Sequence, residues 1–190
     1  MALEIYWEEG RHPFWFLEAP ANELARHCAK EGVRGVYMWV CSIGNRCWID
    51  YIGKATGSPT LIRRQQEHVE NQLGLRYRIP KEFMPGDEDW VPGVYPKNTE
   101  WLLDPHKRAV LIDAARTYLD ASTVFLAPQP EMSSQELRVL ERNLLWDLQP
   151  LGTTPGTKTP PKEQQDIVHV NAGWYSEALE NKFRREIQVR

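Results

Sequence analysis

The chain has 190 residues, 42% of them hydrophobic, and a formal net charge of −3. That length and apolar content suit one globular domain with decorated ends, able to bury a core without disulfide or metal staples. Eight Trp and seven Tyr exclude a disordered chain, and no run approaches 18 apolar residues, so no membrane span is expected.

Three cysteines (Cys28, Cys41, Cys47) are odd in number and form no CxxC pair, which argues for reduced thiols in a cytoplasmic protein. The start, Met1-Ala2-Leu3-Glu4, lacks the basic and apolar regions of a secretory signal. Net charge alone disfavours nucleic acid as a partner, but its distribution is uneven. From Glu31 to Lys81 there are eight basic residues against four acidic ones; from Glu82 to Glu131 there are nine acids against four bases. Such a division lets a polyanion sit on one face.

Taken in order, Phe14-Trp15-Phe16-Leu17 is a short apolar strand candidate, and Pro20 to Lys30 carries Leu24 and Cys28 at helical spacing before Gly32. Gly35 to Ser42 and Cys47 to Ile52 are rich in β-branched and aromatic residues, with Ile43-Gly44-Asn45-Arg46 as turn chemistry between them. This predicts a β-hairpin. Ser58-Pro59 reads as a cap followed by proline at the first helical position, with a helix to Leu73 stopped by Gly74. Ile62, Val69 and Leu73 form its apolar stripe. Arg64 and His68 lie one turn apart on the far side, and Arg63 is about 100° from that pair.

Residues 75–103 are broken by Pro80, Pro85-Gly86, Pro92-Gly93 and Pro96 and read as loop. Asp104-Pro105 begins a helix with Leu111, Ala115 and Leu119 inward, and Ser122 to Leu126 is a third strand candidate. Ser133-x-x-Glu136 is a capping box, opening a helix that ends before Pro150 and packs Leu137, Leu140, Leu144 and Leu148. Glu141 stands beside that stripe, where a carboxylate can face a cleft. Thr153 to Pro161 is linker composition, followed by a strand at Ile167–Val170 and a basic helix from about Ser176.

The chain thus offers Gly35-Val36-Tyr37, Tyr51-Ile52-Gly53-Lys54, Arg64-x-x-x-His68, and Glu141 with Pro150 nine residues on. In this order, and on these element types, the set resembles the GIY-YIG nuclease family over Gly35 to about Thr153. The segment Glu141 to Pro150 is similar to the matching helix in the nuclease half of bacterial excision-repair incision proteins. The Arg-x-x-x-His spacing is closer to restriction and homing members. Thr153 stands where the family often has asparagine.

The resemblance implies an α+β fold: a small, mainly antiparallel central sheet flanked by helices. Residues 1–34 would be an N-terminal extension, 35–153 the nuclease core with an insertion at about 75–103, and 154–190 a linker with a terminal strand and helix. The implied activity is metal-dependent hydrolysis of DNA, expected double-stranded, by a restriction-type or defence-associated endonuclease. Cutting both strands of a palindrome would favour a homodimer. A repair or single-strand-preferring nuclease and a catalytically idle binding module stand as alternatives.

Phosphodiester hydrolysis requires an activated water, stabilisation of phosphoryl charge and help for the leaving oxygen. Glu141 is the candidate ligand for one Mg²⁺ or Mn²⁺, because a hard six-coordinate ion fills its other positions with water and substrate oxygens. Arg64 would fork onto the scissile phosphate. Tyr37, Tyr51 and His68 would surround the water, with one tyrosine, Tyr37 on the resemblance, as base. A free phenol near pKa 10 is a poor base, so nearby cations such as Lys54 would have to lower it. Arg63, Arg76, Arg78 and Lys81 are candidate DNA contacts beside the aromatic-rich insertion (Trp90, Tyr95, Lys97, Trp101), as are Lys182, Arg184, Arg185 and Arg190 of the tail. Taken singly, each has an ordinary explanation: a strand tyrosine is usually a half-buried sheet residue.

Overall fold

The protein is described from a computed structural model that covers residues 2–19, 34–84, 103–151, 160–170 and 188–189. Strands β2 (Arg34–Ile43) and β3 (Arg46–Thr56) form the expected hairpin. Its loop is Gly44-Asn45, and Gly44 has φ +56, the conformation a two-residue turn asks of its first position. Strand β4 (Ser122–Pro128) pairs with the other side of β2, giving an antiparallel sheet of order β3-β2-β4. The architecture is α+β.

Strand β2 is buried on both sides, and its alternation divides the core. Tyr37, Trp39 and Cys41 face a cluster with Leu61, Ile62 and Val69 of helix α2 (Leu61–Leu73) and Leu111, Ala115 and Leu119 of helix α3 (Pro105–Asp120). Val36, Met38 and Val40 face Leu137, Leu140, Leu144 and Leu148 of helix α4 (Ser134–Leu148), together with Ile5 and Trp7. Each fully buried aliphatic or aromatic side chain contributes roughly 1.5–3 kcal/mol. The sheet is therefore held from both faces and fixes the hairpin rigidly.

The N-terminal segment is built into this frame. Strand β1 (Leu3–Tyr6) runs parallel to β5 (Ile167–Val170), which pairs with β6 (Gln188–Val189) in a second small sheet. Beyond β1, Glu8 N–H donates to the Leu126 carbonyl, and Arg11 exchanges both backbone bonds with Val124. Trp7 Nε1–H donates to buried His169 Nδ1 at 3.0 Å.

Several sequence expectations need correction. Phe14-Trp15-Phe16-Leu17 is no strand: Trp15–Glu18 is a single helical turn, α1, with Phe16 buried and Arg11 stacked on the Trp15 ring at 4.1 Å. Helix α2 begins at Leu61, two residues after Pro59, with the Thr60 side chain accepting from Arg63 N–H at 3.2 Å; Ser58 is not the cap. Its buried face is Leu61, Ile62, Gln65, Val69 and Gln72, and Leu73 only flanks it. The loop expected from residue 75 buries Leu75, Ile79 and Phe83, the last ending a 3₁₀ turn at Lys81–Phe83. Gln188–Val189 is strand, not helix. The Asp104 cap, the capping box of Ser133 with Glu136, and the stripes of α3 and α4 stand as expected. The predicted helix over 20–30, the linker over 153–161, the rest of the tail helix, Cys28, Thr153, Trp90, Tyr95, Lys97, Trp101, Lys182, Arg184, Arg185 and Arg190 lie, wholly or almost wholly, outside the described residues. Among the described residues no helix is long and apolar enough to cross a membrane.

Candidate active site

The hairpin register sets Tyr37 opposite Gly53 and Trp39 opposite Tyr51. Both tyrosines then point to the α2 side of the sheet, their ring centroids 6.1 Å apart. Gly53 is required by this closeness: a Cβ there would lie 2.4 Å from Tyr37 Oη and 2.9 Å from Tyr51 Cε1. Gly53→Ala is expected to cost about 1–3 kcal/mol by overpacking and to displace Tyr37, seen as a lowered Tm.

Helix α2 lays His68 across this pair. Its Nε2 is 2.8 Å from Tyr37 Oη, and its ring lies 5.2–5.8 Å from the rings of Tyr37, Trp39, Tyr51 and Tyr77. His68 is thus no far-side residue, as the helical spacing alone suggested, but flanks the buried face. Burial, aided by the Arg64 charge, holds its pKa down at about 3, so the imidazole is neutral. Arg64 reaches the Tyr37 hydroxyl and also donates to Glu67 Oε2 at 3.2 Å. Its side chain is 34% exposed, leaving the guanidinium an open side.

Tyr37 is 1% exposed. Burial raises its pKa well above the ordinary phenol value, the neighbouring Tyr51 adds to this, and Arg64 only partly offsets it. The expectation that cations lower this phenol's pKa is therefore overturned: desolvation wins. Lys54 does not serve that role either, since its ammonium is bonded to Glu141 Oε2. Tyr51 is half-buried; burial and then the Glu141 charge raise its pKa, while its hydrogen bond to Tyr37 acts the other way. The hydroxyls of Tyr51 and Tyr37 and Nε2 of His68 form one hydrogen-bonded row.

Lys54 and Glu141 belong to the opposite face of β3, where α4 packs, and meet at that strand's free edge. Their side chains are 24% and 18% exposed. Among the described residues no group of three or more His, Cys, Asp or Glu side chains gathers as a metal cluster. The donor set still fits a single hard cation: one partly exposed carboxylate, already holding a positive partner that an ion can replace.

Of the other expected contacts, Arg63 is tied to Glu67 and Glu70 at 3.8 and 3.6 Å and faces away from the cluster. Arg76 and Arg78 are exposed, and Lys81 lies in the 3₁₀ turn. Sequence reasoning missed a cavity of about 550 Å³ that shares Tyr51 and His68 with the cluster and is lined further by Trp39, Asp50 and Tyr118. Asp50 owes its place to a bulge: Trp39 pairs with Tyr51 and Val40 with Ile49, so Asp50 is the extra residue. A lone carboxylate inside Cys-Trp-Ile-Asp-Tyr-Ile was the available signal.

Half-buried His68 and buried His169 make stability pH-dependent. His68 and His169 have folded pKa values of about 3 and about 4, both lowered by burial. The unfolded chain, with histidine near 6.5, therefore takes up protons first as pH falls. Their contribution is complete above about pH 6.5 and is lost below it. Going from pH 7 to 5 is expected to cost roughly 2 kcal/mol per histidine, read as a lower urea midpoint at unchanged slope.

Comparison with protein-family models, curated proteins and solved structures returns no match.

Proposed function

We propose that the protein is a metal-dependent endonuclease of the GIY-YIG type that hydrolyses DNA phosphodiester bonds. One observation carries this reading. Tyr37, Tyr51, Arg64 and His68, spread over two strands and a helix, converge beside the Lys54–Glu141 pair at one sheet edge. A structural core has no need for a guanidinium and an ion pair beside three hydrogen-bonding rings, and a binding module does not need the relay.

Arg64, open on one side, would hold the scissile phosphate through its planar fork. The attacking water would meet the Tyr51 hydroxyl, the more accessible of the two. At rest Tyr51 accepts from Tyr37, so both phenol O–H groups would first turn. The water proton would then pass to Tyr51, the Tyr51 proton to Tyr37 and the Tyr37 proton to His68 Nε2, as the water oxygen bonds phosphorus and the bond from phosphorus to the leaving oxygen breaks. This arrangement suits phenols whose pKa values are raised. Burial is the larger cause of the low His68 pKa, and the anionic phosphate at Arg64 would offset the smaller one, the Arg64 charge. Glu141 would hold one Mg²⁺ or Mn²⁺, which supplies charge neutralisation at the phosphoryl and leaving oxygens. Lys54, paired with Glu141 in this structure, would be the cation that such an ion displaces.

Restriction-type or defence-associated cleavage of duplex DNA is the leading form of this proposal. The cavity beside Tyr51 and His68 favours keeping a second form, a repair or single-strand-preferring enzyme. Incubation with supercoiled plasmid and with single strands, in Mg²⁺ or EDTA, separates them. Discrete fragments from plasmid support the first; preferential loss of single strands supports the second. No cleavage with any metal sinks both.

A further inference from the structure

The cavity of about 550 Å³ falls within the size range of small-molecule sites, roughly 300–1,000 Å³. Trp39 and Tyr118, stacked on each other at 9° with centroids 6.2 Å apart, form part of its wall, and Tyr77 another. Its polar groups are mainly acceptors. Asp50 is turned into it by the β3 bulge, with one oxygen accepting from Tyr118 Oη at 2.9 Å, and Glu82 approaches from the 3₁₀ turn. A carboxylate accepts through about four lone-pair positions, so Asp50, which accepts from Tyr118 and from the Trp48 side chain, retains acceptor capacity. Gln72, whose amide N–H donates to the Arg78 carbonyl, keeps its side-chain oxygen as a further acceptor. Arg78 is exposed and supplies the one guanidinium among the described lining residues.

Resting on the nuclease reading above, we propose that this cavity receives one unpaired nucleobase of the substrate strand, next to the scissile phosphate, with guanine preferred. Trp39 and Tyr118 are buried against each other, and the half-buried rings of Tyr51 and Tyr77 offer the aromatic surface for a base face, which any base can use. Among the described lining residues, Asp50, whose pKa burial raises, and Glu82 against the Arg78 guanidinium make the interior a poor place for a phosphate, while their oxygens accept N–H groups. Guanine presents an imino and an amino group side by side along one edge; thymine presents a single N–H. A base already unpaired costs least to draw out of the stack. The shared Tyr51 and His68 place the occupied cavity directly beside the proton relay. Within the second form of that reading, the repair-type enzyme, the substrate class is then DNA with an unpaired nucleotide at the cleavage point.

The test is binding in EDTA, where cleavage does not intervene, followed by fluorescence anisotropy. Labelled duplexes carry an unpaired guanine, an unpaired thymine or an abasic residue at one position, beside a fully paired control. The guanine duplex is expected to bind about tenfold more tightly than the abasic one and several-fold more tightly than the thymine one. Tyr77→Ala should bring guanine and abasic close together. The near-isosteric Glu82→Gln should reduce the preference for guanine over thymine, with affinity for paired DNA unchanged in both. Equal binding of all three duplexes by the native protein overturns the proposal, as do ratios unchanged in both variants when circular dichroism shows native fold. Parallel incubation in Mg²⁺ separates the two readings. Base-dependent binding without cleavage removes the nuclease reading alone; cleavage without base dependence removes the pocket alone.

Discussion

Glu141→Gln is expected to lower Mg²⁺-dependent cleavage on the order of 10³-fold, with a smaller loss of stability. The size follows from the several kcal/mol of charge stabilisation that a bound cation supplies, at tenfold per 1.36 kcal/mol. Glutamine keeps the length of the side chain and one oxygen, so α4 is undisturbed, but it presents no negative charge to a divalent ion. The ion pair it breaks is only partly exposed, so its loss should cost about 1–2 kcal/mol, between a surface pair and a buried one. Activity and stability should therefore separate widely. Single-turnover cleavage across a Mg²⁺ titration, beside urea unfolding, reads both. An equal fall in each, or a variant that still cleaves normally at saturating Mg²⁺, contradicts the assignment of Glu141.

The second large effect concerns the relay. Tyr37→Phe removes one hydroxyl from the middle of the row and should lower the rate by about 10²–10⁴-fold, the usual contribution of positioned proton transfer. His68→Ala should cost a similar amount. The two losses should not add, because groups that act as one chain fail together. The double variant is expected to match the worse single variant. Additive losses would mean that Tyr37 and His68 act separately and that their 2.8 Å contact has only a packing role. Removing the hydroxyl also leaves His68 Nε2 short of a partner, at a cost of roughly 1 kcal/mol. Rates should accordingly be compared at a temperature where both variants are folded.

Much of the frame was legible locally. Ser133 and Glu136 announce α4 because a capping box is a four-residue event, and the leucine spacing then places Glu141 beside the buried stripe. The hairpin was equally plain, since Gly44-Asn45 between two apolar runs leaves few alternatives. What the sequence hides is set by packing between elements. Phe14 to Leu17 has strand composition, yet the preceding Pro13 and the burial of Phe16 turn it into a helical turn. His68 looks like surface on a helical projection but meets four rings, because the hairpin supplies three of them and the loop after α2 the fourth. The burial of Tyr37, which reverses the expected direction of its pKa, depends on that same docking. Asp50 reaches the cavity only through a register shift that no local propensity encodes.

The central claim, that this cluster hydrolyses a phosphodiester bond with water, is tested most directly by isotope transfer. Labelled DNA, both duplex and containing an unpaired nucleotide, is incubated with the native protein and Mg²⁺ in ¹⁸O-water under single turnover, and the fragments are weighed by mass spectrometry. The expected result is a new terminal phosphate carrying one ¹⁸O, absent in EDTA. DNA that stays intact with Mg²⁺ and with Mn²⁺ between about pH 6 and 9, or fragments without the label, would contradict it.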